Sequence, residues 1–233
     1  MTDNPFYASY HKFKGYEPPH LSKKQRRRFD ADVWGPGGFR VDGPVLEIGC
    51  GEGLFLKYIK EKGVASYKGL DLDPALEAII PDDIKTSFEV IDIWKFFDQN
   101  EAQSFHRIVM FDVLEHFTPE DGLNLLLGCK ARLTSDGAIL VKVPNAGSPW
   151  GLSYQFGDLT HLTPYTPSAL RQLAAAADMT VEACWPHAEG SPNRRRLDRL
   201  VCGLLSKTLA TPPEIWTGNF FGLLKPLDTE QPG

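Results

Sequence analysis

One run constrains this chain more than any other: Val45-Leu46-Glu47-Ile48-Gly49-Cys50-Gly51-Glu52-Gly53. The apolar residues make a short strand, and the alternate glycines force a tight turn at its end. An amphipathic stretch follows at 53–62, so the run reads as strand, turn, helix. The same alternation continues down the chain. Strands are expected at 44–48, 67–71, 87–91, 106–112 and 137–142, with helices near 53–62, 74–80, 94–101 and 118–132. This order predicts an α/β fold with a mostly parallel sheet and helices on both faces. The fourth helix has a clear start. Thr118 caps it, Pro119 suits its first turn, and Glu120 and Asp121 complement its dipole. After residue 151 come a loop, a helix at 167–177 and a strand near 180–185. A helix near 194–209 and a last strand near 218–224 follow.

The 233 residues, 42% of them hydrophobic, suffice for one sizeable core. Residues 1–43 are polar, aromatic-rich and broken by prolines, so they are expected to be an irregular or partly helical N-terminal extension or cap. The domain proper is expected over 44–233, with an amphipathic helical insertion at 188–215. Its helix carries Leu197, Leu200, Val201, Leu204, Leu205 and Leu209 beside Arg194, Arg195, Arg196, Arg199 and Lys207. Packing onto the domain is the favoured role for that apolar face. A lid touching an anionic membrane or a lipid-linked glycan is the other, with the basic run 23–28 cooperating or simply solvated.

The net charge of −5 argues against a nucleic-acid partner. Cys50, Cys129, Cys184 and Cys202 include no C-x-x-C pair, so they are expected to be buried thiols in a reducing compartment. The first residues lack the charged start and apolar run of a signal peptide, and no stretch is apolar enough to span a bilayer. The expected location is the cytoplasm.

The glycine spacing discriminates between ligands. A dinucleotide site wants a glycine at position 54, where this chain has Leu54. Its third glycine is Gly53, and Glu47 sits at the strand end. A carboxylate there suits a cation rather than a pyrophosphate, which disfavours a nicotinamide-dependent dehydrogenase. The segment resembles motif I of the class I S-adenosylmethionine-dependent methyltransferases. Gly69-Leu70-Asp71-Leu72-Asp73-Pro74 looks like that family's second motif. A carboxylate at Asp71 can accept hydrogen bonds from both ribose hydroxyls. The resemblance covers roughly 44–145, with a second motif at 156–180. It implies the Rossmann-like methyltransferase fold with an antiparallel last strand. It also implies cofactor contacts at Glu47, Gly49, Cys50, Gly51, Gly53, Asp71, Leu72, Asp92, Ile93 and Asp112, with Asp92 toward the adenine amino group.

Transfer from a sulfonium to a hydroxyl gains from a general base, because a hydroxyl is a weak nucleophile at neutral pH. The candidates are His116, in Asp112-Val113-Leu114-Glu115-His116, and His161, in the loop that precedes Thr166-Pro167. His161 is preferred as base, its other role being to tie down its loop. His116 sits in a run widespread in the superfamily and has the alternative of shaping the pocket. The His161 segment resembles bacterial methyltransferases encoded with polysaccharide and lipopolysaccharide (O-antigen) pathways. That likeness implies a sugar hydroxyl of a cell-surface glycan as acceptor. The Asp112, Glu115, His116 spacing with His161 is also similar to the divalent-metal site of small-RNA terminal and ubiquinone-pathway O-methyltransferases, although Asp112 stands where those have Glu. A divalent ion is therefore a possible second cofactor. Other readings are a quinone or secondary-metabolite O- or N-methyltransferase, and a non-catalytic S-adenosylmethionine-binding subunit. Trp150, Tyr154, Phe156 and Tyr165 flank the expected loop and suit either sugar stacking or plain packing. Asn145 offers an amide to either substrate. Oligomeric state is not readable from the chain.

Overall fold

A computed structural model describes residue 6, residues 10–99 and residues 103–227. Its strands are β1 (Val45–Ile48), β2 (Tyr67–Asp71), β3 (Phe88–Val90), β4 (Phe105–Phe111), β5 (Leu133–Pro144), β6 (Met179–His187) and β7 (Asn219–Pro226). They form one seven-stranded sheet in the order β3-β2-β1-β4-β5-β7-β6. Pairing from β3 through β5 is parallel, and β7 runs antiparallel to both β5 and β6. The chain order reverses between β1 and β4, and an open α/β sheet binds ligands in the crevice at such a point.

The helices are α1 (Tyr10–Lys14), α2 (Lys23–Phe29), α3 (Leu54–Glu61), α4 (Ile93–Asp98), α5 (Pro119–Lys130), α6 (Leu152–Gln155), α7 (Pro167–Ala176) and α8 (Pro192–Thr208). Side chains alternate between two cores. Leu46, Ile108, Met110, Ile139 and Val141 pack with α4, α5 and α7, while Val45, Val109, Leu140 and Phe221 pack with α3 and the segment before β1. Burial on both faces explains why the parallel strands read as near-continuous apolar runs. The segment before β1 contributes Leu21, Val33 and Phe39 to that second core, through α2 and a π-helical turn at Asp30–Trp34.

The expected caps form as the side-chain chemistry dictates. Thr118 Oγ1 accepts from the Asp121 amide, and Thr166 Oγ1 accepts from the Ala169 amide. The helix expected at 74–80 is instead a 3₁₀ turn, Pro74–Ala78, capped by Asp73. Pro81 follows three residues later and keeps Ile80 out of helical backbone, so no full α-turn propagates. The helix expected at 94–101 is Ile93–Asp98, and residues 100 and 101 lie outside the described residues. Of the four cysteines only Cys50 and Cys129 are buried, while Cys184 and Cys202 are half-buried.

The larger correction concerns α8. Packing of its apolar face onto the domain was expected, yet none of its residues is buried. Leu197, Leu200, Val201, Leu204 and Leu209 are all exposed. The helix is held at its end instead, where Trp216 Nε1 donates to Ser206 Oγ at 2.8 Å. Among the described residues no helix is long and apolar enough to cross a membrane.

Candidate active site

The turn after β1 is built by left-handed glycines. Gly49 has φ +69°, and a Cβ there would lie 2.4 Å from Val113 Cγ2, so no other residue fits. A Cβ on Gly51 would meet only open space, which leaves the main chain accessible to a ligand. Asp71 closes the turn from the end of β2. Its Oδ2 accepts from the Gly51 amide at 2.8 Å and its Oδ1 from the Asp73 amide at 3.0 Å. Glu47 lies behind them, 3% exposed, with Oε2 lacking a hydrogen-bond partner. Burial first, and then the nearby Asp71 carboxylate, push its carboxyl well above the ordinary range. A cationic ligand group would relieve that burial cost. The unpartnered oxygen, the open Gly51 face and the Asp71 carboxylate therefore fit a ligand carrying positive charge and ribose hydroxyls.

Asp92 follows β3, which pairs with β2 beside Asp71. Its Oδ1 caps α4 by accepting from the Trp94 amide at 2.9 Å, and Ile93 is buried at the helix start. Cys50 is buried under the turn, its thiol raised by burial, whereas Leu72 is exposed.

The second part of the site follows β4. Leu114–His116 is a 3₁₀ turn that buries both Glu115 and His116. The loop carrying His161 is stitched to this turn: the Leu162 and Thr163 amides both donate to the Glu115 carbonyl, and Thr163 Oγ1 donates to the Phe117 carbonyl at 2.6 Å. Glu115, His116 and His161 each place a ligand atom within 4.8 Å of the others. Hydrogen-bond partners set the tautomers. The Gln155 carbonyl only accepts, so His161 Nδ1, 3.0 Å away, carries the proton. Thr160 Oγ1 gives its proton to Asp158 Oδ1 at 2.5 Å, so it accepts from His116 Nδ1–H at 3.0 Å. Both histidines thus keep an Nε2 lone pair. Burial, and then His161, bring the His116 imidazole down to about 4, so it is neutral at pH 7. Against burial, the Thr160 hydrogen bonds and Lys14 hold Asp158 near 2. Neither Glu115 carboxyl oxygen has a hydrogen-bond partner, and burial followed by Asp112 raises this group well above its ordinary value.

Three expected participants stand elsewhere. Asp112 does not join the Glu115, His116, His161 group; its Oδ2 pairs with Lys142 Nζ at 2.5 Å. Asn145 has no amide to offer a substrate. Its Nδ2 donates to the Ile215 and Thr217 carbonyls, and its Oδ1 accepts from the Gly147 amide. Tyr165 is 2% exposed and belongs to the core, while Trp150, Tyr154 and Phe156 are exposed. The Asn145 anchor leaves no room nearby. A Cβ on Gly151 would lie 1.9 Å from the Asn145 carbonyl oxygen and 3.0 Å from that of Gly218. Backbone atoms cannot swing aside, so Gly151→Ala is expected to cost about 3 kcal/mol. A thermal melt should show Tm lower by about 6–12 °C; an unchanged Tm would mean the loop relaxes freely.

Sequence reasoning missed the contribution of the N-terminal segment. Tyr10 Oη donates to Asp158 Oδ2 at 3.1 Å, and its ring meets the His116 ring edge-on at 6.0 Å. Lys14 Nζ lies 3.5 Å from the same Asp158 oxygen. Tyr16 packs beside Cys50 and Leu76, its phenol raised by burial and by the Asp71, Asp73 and Glu52 carboxylates. The aromatic content of residues 1–43 was the only signal, and it has no period to align with a site.

A family model described as a methyltransferase domain matches residues 20–183 of this chain. The chain belongs to the methyltransferase-domain family. That membership carries the expected enzyme class, an S-adenosylmethionine-dependent methyltransferase. Solved structures agree in fold. An S-adenosylmethionine-dependent methyltransferase from Archaeoglobus fulgidus superposes with a TM-score of 0.64 at 21% identity, covering 95% of this chain and 100% of that one. One from Clostridium acetobutylicum gives 0.60 at 12% identity, covering 97% and 99%. An O-methyltransferase from neocarzinostatin biosynthesis, solved with S-adenosylmethionine and 2-hydroxy-5-methyl naphthoic acid, gives 0.55 at 17% identity; the match covers 97% of this methyltransferase and 59% of that chain. No curated protein matches the methyltransferase.

Proposed function

We propose that this methyltransferase is an O-methyltransferase whose acceptor is a hydroxyl, in the first place a sugar hydroxyl of a cell-surface polysaccharide. The observation that carries hydroxyl chemistry is the clustering of His161, whose Nδ1 faces the Gln155 carbonyl, with His116 and the buried Glu115 carboxyl. The glycan acceptor rests on the resemblance of the His161 segment. S-adenosylmethionine supplies an electrophilic methyl group on a sulfonium. Asp71 holds the ribose hydroxyls and Glu47 faces the positive charge. His161 Nε2 removes the acceptor proton as the oxygen gains its methyl group, and S-adenosylhomocysteine leaves. The Gln155 carbonyl orients the imidazole, and Asp158, 3.9 Å from His161 Nε2, stabilises the imidazolium. The segment before β1 acts as a cap, with Tyr10 and Lys14 reaching Asp158.

S-adenosylhomocysteine release over a panel of nucleotide sugars, oligosaccharides, quinols and amines tests this reading. Turnover on hydroxyl acceptors supports it, with sugars preferred. Turnover confined to amines overturns the hydroxyl assignment, and turnover confined to quinols overturns the sugar assignment.

A second reading adds a divalent cation, and the two unpartnered Glu115 oxygens favour it. Glu115, His116 and His161 would be its protein ligands, oriented by Thr160, Asp158 and Gln155. Such an ion lowers the pKa of a bound hydroxyl. A saturating divalent ion, at ~100 times its Kd, contributes about 2.7 kcal/mol to stability. For a chain of this size Tm should rise by about 5–10 °C. Melts with Mn²⁺, Co²⁺ or Zn²⁺, and activity after chelation, decide the matter. No shift together with full activity in chelator removes the metal.

A further inference from the structure

We propose that α8 forms a docking surface for an anionic lipid bilayer. Leu197, Leu200, Val201 and Leu204 follow helical spacing along one face of α8. All four are exposed, Leu200 by 72% and Leu204 by 65%. An isolated exposed leucine is ordinary, but a continuous stripe on an otherwise uncovered helix is not. Arg194, Arg196 and Lys207 flank the stripe on its two sides, while Arg195 and Arg199 lie toward the back of the helix, and Asp198 is the one acid of the helix. The whole chain carries a net charge of −5, so these cations are segregated rather than typical.

The C-terminal end of α8 is tied to the loop after β5. Trp216 donates to Ser206, and the Trp216 carbonyl accepts from Ser148 Oγ at 2.6 Å. Ser148 stands at the base of the loop that exposes Trp150, Tyr154 and Phe156.

An apolar stripe bordered by guanidinium groups matches the boundary between acyl chains and phosphate headgroups. Arginine pairs with phosphate through two parallel hydrogen bonds, which a neutral surface does not offer. A second copy of this chain would need an acidic, apolar counterpart to the same face. This proposal stands apart from the acceptor assignment, because vesicle binding is read without turnover.

The test is co-sedimentation of the full chain with phosphatidylglycerol-containing vesicles and with pure phosphatidylcholine vesicles, beside light scattering of the protein alone. Binding is expected to the anionic vesicles and not to the neutral ones, and to weaken as salt is raised. R194E/R196E/K207E should weaken it on the order of 100-fold. L200E/L204E should abolish it while leaving turnover on a soluble acceptor and the melting temperature unchanged. Equal affinity for both vesicle types, or none for either, overturns the proposal. Concentration-dependent dimerisation that L200E/L204E abolishes, without lipid binding, also overturns it and assigns the face to a second copy.

Discussion

Replacing His161 with alanine is expected to lower kcat by about 10²–10⁴-fold while S-adenosylmethionine still binds. The imidazole is held between the Gln155 carbonyl at Nδ1 and, 3.9 Å from Nε2, the carboxyl oxygens of Glu115 and Asp158. Removing it deletes the proposed proton acceptor and leaves the glycine turn and Asp71 untouched. His161→Gln separates catalysis from scaffolding. A glutamine amide can still donate to the Gln155 carbonyl and keep the loop tied, but it cannot take a proton. Equal loss in the alanine and glutamine variants assigns the chemistry to His161. Near-normal turnover in the glutamine variant would reduce His161 to a loop fastener. Partial recovery of the alanine variant at high pH would mark a lost base, since hydroxide ionises the acceptor directly.

Asp71→Ala is expected to weaken S-adenosylmethionine binding by about 100–10,000-fold, measured by calorimetric titration. Two hydrogen bonds from ribose to a charged carboxylate, at about 1.5–3 kcal/mol each, account for that range. The same carboxylate also accepts from the Gly51 and Asp73 amides, so its loss loosens the turn as well. Asp71→Asn resolves the two effects, because it keeps one acceptor oxygen for the turn and loses the charge. A melt beside each titration shows whether the fold survives. Unchanged affinity in a well-folded Asp71→Ala protein would remove Asp71 from the ribose site and leave the glycine turn without its ligand assignment.

Much of this architecture was legible because each of its signals is local. An apolar run ending in Gly49, Gly51 and Gly53 can hardly be anything but a strand entering a tight turn. Thr118-Pro119 and Thr166-Pro167 announce their helices through side chains that bond amides three residues on. The 74–80 segment failed for an equally local reason, the overlooked proline at 81. Asn145 was misread for a non-local one. It looked available in sequence, but the carbonyls of 215 and 217 consume its amide; of the two readings open for Tyr165, packing is the one its place in the core bears out.

The sequence by itself determined the alternation of strands and helices, the glycine turn and the carboxylates placed at the ends of the first two strands. These follow from backbone sterics, periodicity and side-chain chemistry within a few positions. Only the tertiary structure decided the rest. It drew Glu115, His116 and His161 together and left Asp112 with Lys142. It set the histidine tautomers through Gln155 and Thr160, and it brought Tyr10 and Lys14 back to Asp158. It also left the apolar face of α8 uncovered. Amphipathic spacing shows that a helix has an apolar face, but only the packed fold shows whether anything lies against it.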